Sequence, residues 1–393
     1  MPDNFRWITR KYTIEFLTPA FLGGADQSGQ WRTPPFKALL RQWWRVAWAA
    51  QKDFPADVAE MREKEGKLFG NAWLKERVGN REETKASRSG IRLRLSSWRQ
   101  GQLSQWPAYN AGVVRHPEVQ IPVRGRNEKS DRISSHLYLG FGPLSAAGEQ
   151  ARLPNSRRAI NAGEEAELAV AQVLEQSDLS GERDIIGHAL WLMDAFGAAG
   201  GRSRNGWGSF RLIPADGQRP RIPLPLRDWR EALQLDWPHC IGSDGRGPLI
   251  WRTQKEYADW KELMRDLACL KIALRTQFQW GQTTPDKRHW LAYPVTKHKV
   301  PSWGDQARLP NQLRFKVRCV DGDSKRLIGV IYHMPCSPPP AFGANHAVLV
   351  DVWQQVHRLL DELGKPSGQR QLPDLHSAVK QQIDGITLKR SKE

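Results

Sequence analysis

The 393-residue chain carries 59 Lys and Arg against 42 Asp and Glu, a net charge of +17, with 39% hydrophobic residues. That is enough length and apolar content for two cored domains, and a surplus of this sign favours a polyanionic partner. No run of about 18 apolar residues is present, the opening MPDNFRWITRKYTIEF lacks the apolar region of a secretory signal, and Cys240, Cys269, Cys319 and Cys336 form no close pair. A cytoplasmic protein is therefore expected, without a membrane span, disulfide framework, metal or cofactor.

In chain order, Lys11 to Leu17 alternates as a strand and stops at Thr18-Pro19. A Gly-rich loop from Gly23 to Gly29 follows, and Pro34-Pro35 opens a helix over Phe36 to Gln51. Its apolar residues recur at three and four, with Arg41 and Arg45 one turn apart on another face. Residues 52 to 90 are charged and uneven and read as a helical insertion. Ile91 to Ser97 alternates cleanly, placing Arg92 and Arg94 on one face of a half-buried strand. Val123 to Arg132, with Arg124 and Arg126, is polar and reads as a mobile loop that orders on a partner.

Glu165 to Leu174 reads as a strand and Asp184 to Phe196 as a helix that ends in a Gly-rich stop. Trp207 to Leu212 would close the first domain, and the Pro-rich stretch 214–225 reads as a boundary, giving domains 1–215 and 216–393. Beyond it come a turn at Gly242 to Gly247, a helix from Gln254 to about Gln277, strands Leu313 to Val320 and Leu327 to His333, and a helix from about Ala344 to Leu363. The tail after Gly364 reads as frayed. Short matches, Tyr138-Leu139-Gly140-Phe141 with Trp290-Leu291-Ala292-Tyr293 and Arg152-Leu153-Pro154-Asn155 with Arg308-Leu309-Pro310-Asn311, suggest a duplicated unit. The element count of each half is that of a split βαβ, ferredoxin-like unit, so the expected fold is α+β with two tandem copies.

Two motifs carry chemistry. Gly200-Gly201-Arg202-Ser203-Arg204 lies between a helix and a strand. Glycines there allow positive φ and close backbone approach, while Arg202 and Arg204 bring forked donors suited to a phosphodiester. The same pattern also suits a helix cap with exposed arginines. The second motif runs from Thr18 to Asp26 and on through Arg32, Lys37, Arg41 and Arg45. It sets cations along a helix whose first N–H groups are unpaired, and it also suits a core helix with snorkelling arginines. No GxxxxGK[ST] fingerprint is present. The cations of both motifs are expected to share one edge.

Together the stretches Thr18 to Asp26, Arg32 to Arg45 and Gly197 to Phe210 resemble the RAMP superfamily, and within it the first RAMP subunit of type III-B CRISPR Cmr complexes. Gln42 and Ala38 depart from that pattern, which more often has an aromatic residue and a glycine there. The resemblance implies two domains of RNA-recognition-motif type and a non-catalytic subunit that holds the 3′ region of a guide RNA with its target RNA beside other RAMP subunits. Related backbone subunits cut target RNA with an Asp in the loop after the first strand. Asp26 occupies that loop here, and the resemblance assigns it a loop-folding role. The enzymatic alternative is a RAMP endoribonuclease using His116, His136 or His188, none of which has a second base beside it in sequence. The RNA-contacting set is then Arg32, Lys37, Arg41, Arg45, Arg92, Arg94, Arg124, Arg126, Gly200, Gly201, Arg202, Ser203 and Arg204.

Overall fold

A computed structural model describes residues 6–24, 28–78, 81–122, 128–154, 157–174, 184–218, 222–281 and 284–391. Its first half is built on β1 (Arg6–Phe16), α1 (Thr33–Gln51), β2 (Ile91–Leu95), β3 (Glu165–Leu174), α2 (Ile185–Phe196) and β4 (Phe210–Pro214). The strands pair antiparallel in the order β4-β1-β3-β2. This is the ferredoxin-like βαββαβ arrangement, in which the third strand slots between the first two.

Alternation along β1 sends Ile14 and Phe16 into the core, where α1 and α2 cover them. Helix α1 starts with prolines in its first turn, where a missing N–H costs nothing, and buries Phe36, Leu40, Trp43, Trp44 and Trp48 along one side. Helix α2 is capped by Asp184, whose carboxylate accepts the Gly187 N–H at 2.9 Å.

The second half repeats the topology with β5 (Ile250–Thr253), α3 (Trp260–Thr276), β6 (Leu313–Val320), β7 (Asp323–His333), α4 (His346–Glu362) and β8 (Leu388–Arg390). Its order is β6-β7-β5-β8, the same arrangement read from the other edge. The fold class expected from the sequence is thus present twice. The short matches do not reflect the repeat. The one around Tyr138 lies between β2 and β3, whereas its counterpart near Trp290 lies between α3 and β6.

Three further readings change. Residues 52–90 hold one helix, Ala59–Phe69, and then a hairpin of strands Asn71–Val78 and Arg81–Ser87. Of the loop expected at 123–132, Lys129–Ser130 pairs with Ile121–Pro122 and Arg132 pairs with Arg115, while residues 123–127 lie outside the described residues. The polar tail is folded: helix Ser377–Asp384 buries Val379 and Ile383, and β8 completes the second sheet with Leu388 fully buried. Sparse anchors at three- and four-residue spacing were enough to dock it, because the sheet supplied an open edge.

Described residues of the segment between β2 and β3 pack against the second unit. Trp106 meets Trp207 edge-on at 5.2 Å and Trp260 of α3 at 5.9 Å, and Gln382 exchanges two hydrogen bonds with the Arg115 backbone. Most of the described tryptophans are core; Trp7 and Trp98 are exposed.

Candidate nucleic-acid interface

Helix α1 and the edge strand β2 form the walls of a cleft of about 960 Å³, lined by Lys37, Arg41, Arg45, Arg88 and Arg92 among others. The cations are organised around one buried carboxylate. Arg41 Nε donates to Glu65 Oε1 at 2.5 Å, and Arg45 donates to both Glu65 oxygens at 2.7 and 3.1 Å. Glu65, 4% exposed and carried by helix Ala59–Phe69, therefore fixes two guanidinium groups and cancels only part of their charge. Lys37 Nζ donates to the Phe69 carbonyl and to Ser89 Oγ. Burial, with Arg41 beside it, lowers the Lys37 pKa from its ordinary value. Among the described residues no carboxylate pairs with Arg88 or Arg92. The cleft thus offers preset donors and excess positive charge, the requirement for holding phosphates.

Lys37, Arg41 and Arg45 come together as the sequence suggested and Arg92 joins them, but the other cations do not. Arg32 turns back to the Gly23 carbonyl at 2.9 Å and closes the Gly-rich loop. Arg94 is exposed on the sheet's outer face, and Arg124 and Arg126 lie outside the described residues. Arg88 and Glu65 were missed because both fell in a stretch read only as an insertion. The sequence signal available was Arg88-Ser89 directly preceding an alternating strand.

The two sequence motifs are knitted to each other. Thr18 Oγ1 donates to the Gly206 carbonyl at 2.8 Å, Gly201 N to the Phe21 carbonyl at 3.0 Å, and Gly208 N to the Pro19 carbonyl at 2.9 Å. Gly200 has φ of +96°, and a Cβ there would sit 2.7 Å from the Phe21 carbonyl oxygen. The close approach that glycine permits at this point is to the chain itself. Arg202, in the left-handed region at φ +58°, donates from Nε to the Phe141 carbonyl at 2.7 Å and remains exposed. Ser203 accepts the Gly206 N–H through its carbonyl.

Arg204 departs furthest from expectation. It points into the seam between the two sheets, and burial, with Arg314 close by, pushes its pKa down to about 10. Arg314 is 7% exposed, and Gln42 of α1, with its amide oxygen turned inward, accepts from Arg314 Nη1 at 2.7 Å and Nη2 at 3.1 Å. Gln42, the departure from the aromatic residue of the motif, is therefore matched to Arg314. The cations of the two motifs do not share one edge: neither Arg202 nor Arg204 lines the cleft.

The three candidate histidines, His116, His136 and His188, are buried. His136, 2% exposed, accepts from Trp106 Nε1 at 3.4 Å, meets the Lys261 carbonyl at 3.2 Å and stacks on Tyr109. His116 accepts the Glu118 N–H at 3.2 Å. Burial lowers both pKa values to about 4. His188 is buried on α2 beside Trp191. Asp26 lies outside the described residues. Among the described residues no cluster of His, Cys, Asp or Glu could hold a metal ion, and no helix is long and apolar enough to cross a membrane.

Paired ferredoxin-like units with a basic cleft at one sheet edge define an α+β class with many nucleic-acid-binding members. The model of the RAMP superfamily matches residues 13–211, and the chain belongs to that superfamily. Among solved structures, the chain is similar to Cmr1 from Pyrococcus furiosus in its apo form, at 12% identity and a TM-score of 0.41, over 87% of this chain and 92% of that one. It is also similar to a chain of a type IV-B CRISPR complex, at 17% identity and a TM-score of 0.27, over 58% of this chain and 100% of that one. No curated protein matches it.

Proposed function

We propose that this chain is a non-catalytic RNA-binding subunit of a type III-B CRISPR RNA-guided effector complex, with the α1–β2 cleft holding the backbone of the guide RNA. Membership of the RAMP superfamily and the Cmr-like motifs from Thr18 to Arg45 support the class. The single observation that carries the binding role is the cleft, lined by Lys37, Arg41, Arg45, Arg88 and Arg92, of which only Arg41 and Arg45 are paired with a carboxylate, Glu65, among the described residues. In this reading the 3′ region of the guide and its paired target lie along the first unit. Domains 1–215 and 216–393 act as one body docked to neighbouring RAMP subunits, in the cytoplasm.

The test is binding of single-stranded RNA across a salt series. Arg88→Ala with Arg92→Ala should weaken association by about 1–3 kcal/mol, on the scale of charge-assisted hydrogen bonds. Each lost phosphate contact should flatten the salt slope by about one. Wild-type binding that ignores salt, or defined cleavage products from the isolated chain, would contradict the reading.

A further inference from the structure

The outer face of the first sheet is built differently from an ordinary solvated face. Ile14 and Phe16 of β1 point to the core, so Trp7, Thr9 and Lys11 point outward. Strand register sets Thr9, Ala171 and Arg92 in one row across the sheet and Lys11, Ala169 and Arg94 in the next. The middle of the face is therefore flat and small, and its rim is cationic. Its acidic groups are at the other end, where Glu165 and Glu167 lie and where Glu15 is held by Arg211 at 2.5 Å. At the cationic end Trp7 is 40% exposed, and the Arg92 guanidinium lies 4.4 Å from its ring centroid.

Arg92 also lines the α1–β2 cleft. One side chain thus links the phosphate-holding cleft to an exposed indole across the edge strand. An exposed aromatic ring beside arginines, on a flat face, matches what unpaired bases need: a π-surface to stack on and cations for the backbone. A charged protein segment would use the cations but would have no use for the part-exposed indole at the edge of the face.

We propose that this outer face is a second contact surface for single-stranded RNA, on which the strand leaves the cleft over the β2 edge at Arg92 and places a base against Trp7. The proposal rests on the RNA-binding role of the cleft and adds a stacking site to it. The experiment measures affinity of the full chain for a single-stranded oligonucleotide and for a duplex of the same sequence, each across a salt series. Trp7→Ala should weaken single-strand binding by about tenfold or more, the scale of one stacked base, without changing the salt slope. Trp7→Phe should restore most of the loss. Arg94→Glu, which does not touch the indole, should weaken binding and flatten the slope. Duplex affinity should not respond to Trp7→Ala. If Trp7→Ala and Trp7→Phe bind single strands like wild type while Arg88→Ala is weakened, the stacking surface is overturned and the cleft stands. If Arg88→Ala is also unaffected, the RNA-binding reading fails and takes the stacking surface with it.

Discussion

The two ferredoxin-like units share a topology and differ in what happens to the outer face of the sheet. In the first unit that face keeps Trp7, Thr9, Lys11, Arg92 and Arg94 in solvent. In the second it is roofed by the first unit. Tyr332 donates to the Phe196 carbonyl at 2.6 Å, Lys316 donates to the carbonyls of Gly197 and Phe210, and Ile250, Ile328 and Val330 join the first unit's core cluster. Lys316 is fully buried there, and burial pushes its pKa down to about 7. One copy has its outer face covered and the other has it open. The fold alone would not distinguish them; the residues on the outward positions of each strand do.

The largest expected effect breaks this contrast directly. Val330→Asp puts a charge on the covered face, where the native residue is 1% exposed, and should cost about 3–5 kcal/mol of stability in denaturant unfolding. Thr9→Asp on the open face should stay within about 0.5 kcal/mol. Similar losses from both would mean that both faces are covered.

Acid should act next. His116, His136 and His239 have pKa values lowered to about 4, and His357 to about 3, in each case chiefly by burial. Their folded values lie below the unfolded value near 6.5, so the unfolded chain binds more protons in that window. Stability should be fully present above about pH 6.5 and fall as pH drops towards 4, by on the order of 1–3 kcal/mol per group. His357 bonds His333 at 2.9 Å in the second unit, so His357→Gln should reduce the acid sensitivity. An unchanged pH profile in that variant would place the titration elsewhere.

A smaller effect separates the two arginines of the Gly-rich loop. Arg202→Ala should weaken RNA binding by about 1–2 kcal/mol, because the side chain is exposed beside the loop. Arg204→Ala should leave RNA affinity within about 0.5 kcal/mol, since Arg204 is half-buried with Arg314 close by. Equal losses would mean that the seam opens to RNA.

Much of this architecture was legible in the sequence where one periodicity governed. β3 was placed at its observed bounds, and α1 and α2 were located from apolar spacing and capping residues. β5 is not legible because Ile250-Trp251-Arg252-Thr253 is short and follows a Gly-rich turn, and the C-terminal β8 reads as tail because three residues carry no period. Of the candidate site, the cations of α1 and Arg92 were legible because helix and strand spacing assign faces. The partners were not. That Glu65 would bridge Arg41 and Arg45, or that Gln42 would meet Arg314, depends on tertiary placement across 20 or more positions. Arg204 shows the same limit, since a loop motif names charged residues without saying which of them faces inward.

The central claim, that the first unit carries the RNA, is tested most directly by ultraviolet crosslinking of the assembled complex followed by peptide mapping of this chain. The account predicts RNA adducts on peptides from residues 31–45 and 86–95, lost when Arg88 and Arg92 are replaced by Ala. Adducts confined to the second unit, with the first unit's peptides unmodified, would contradict it.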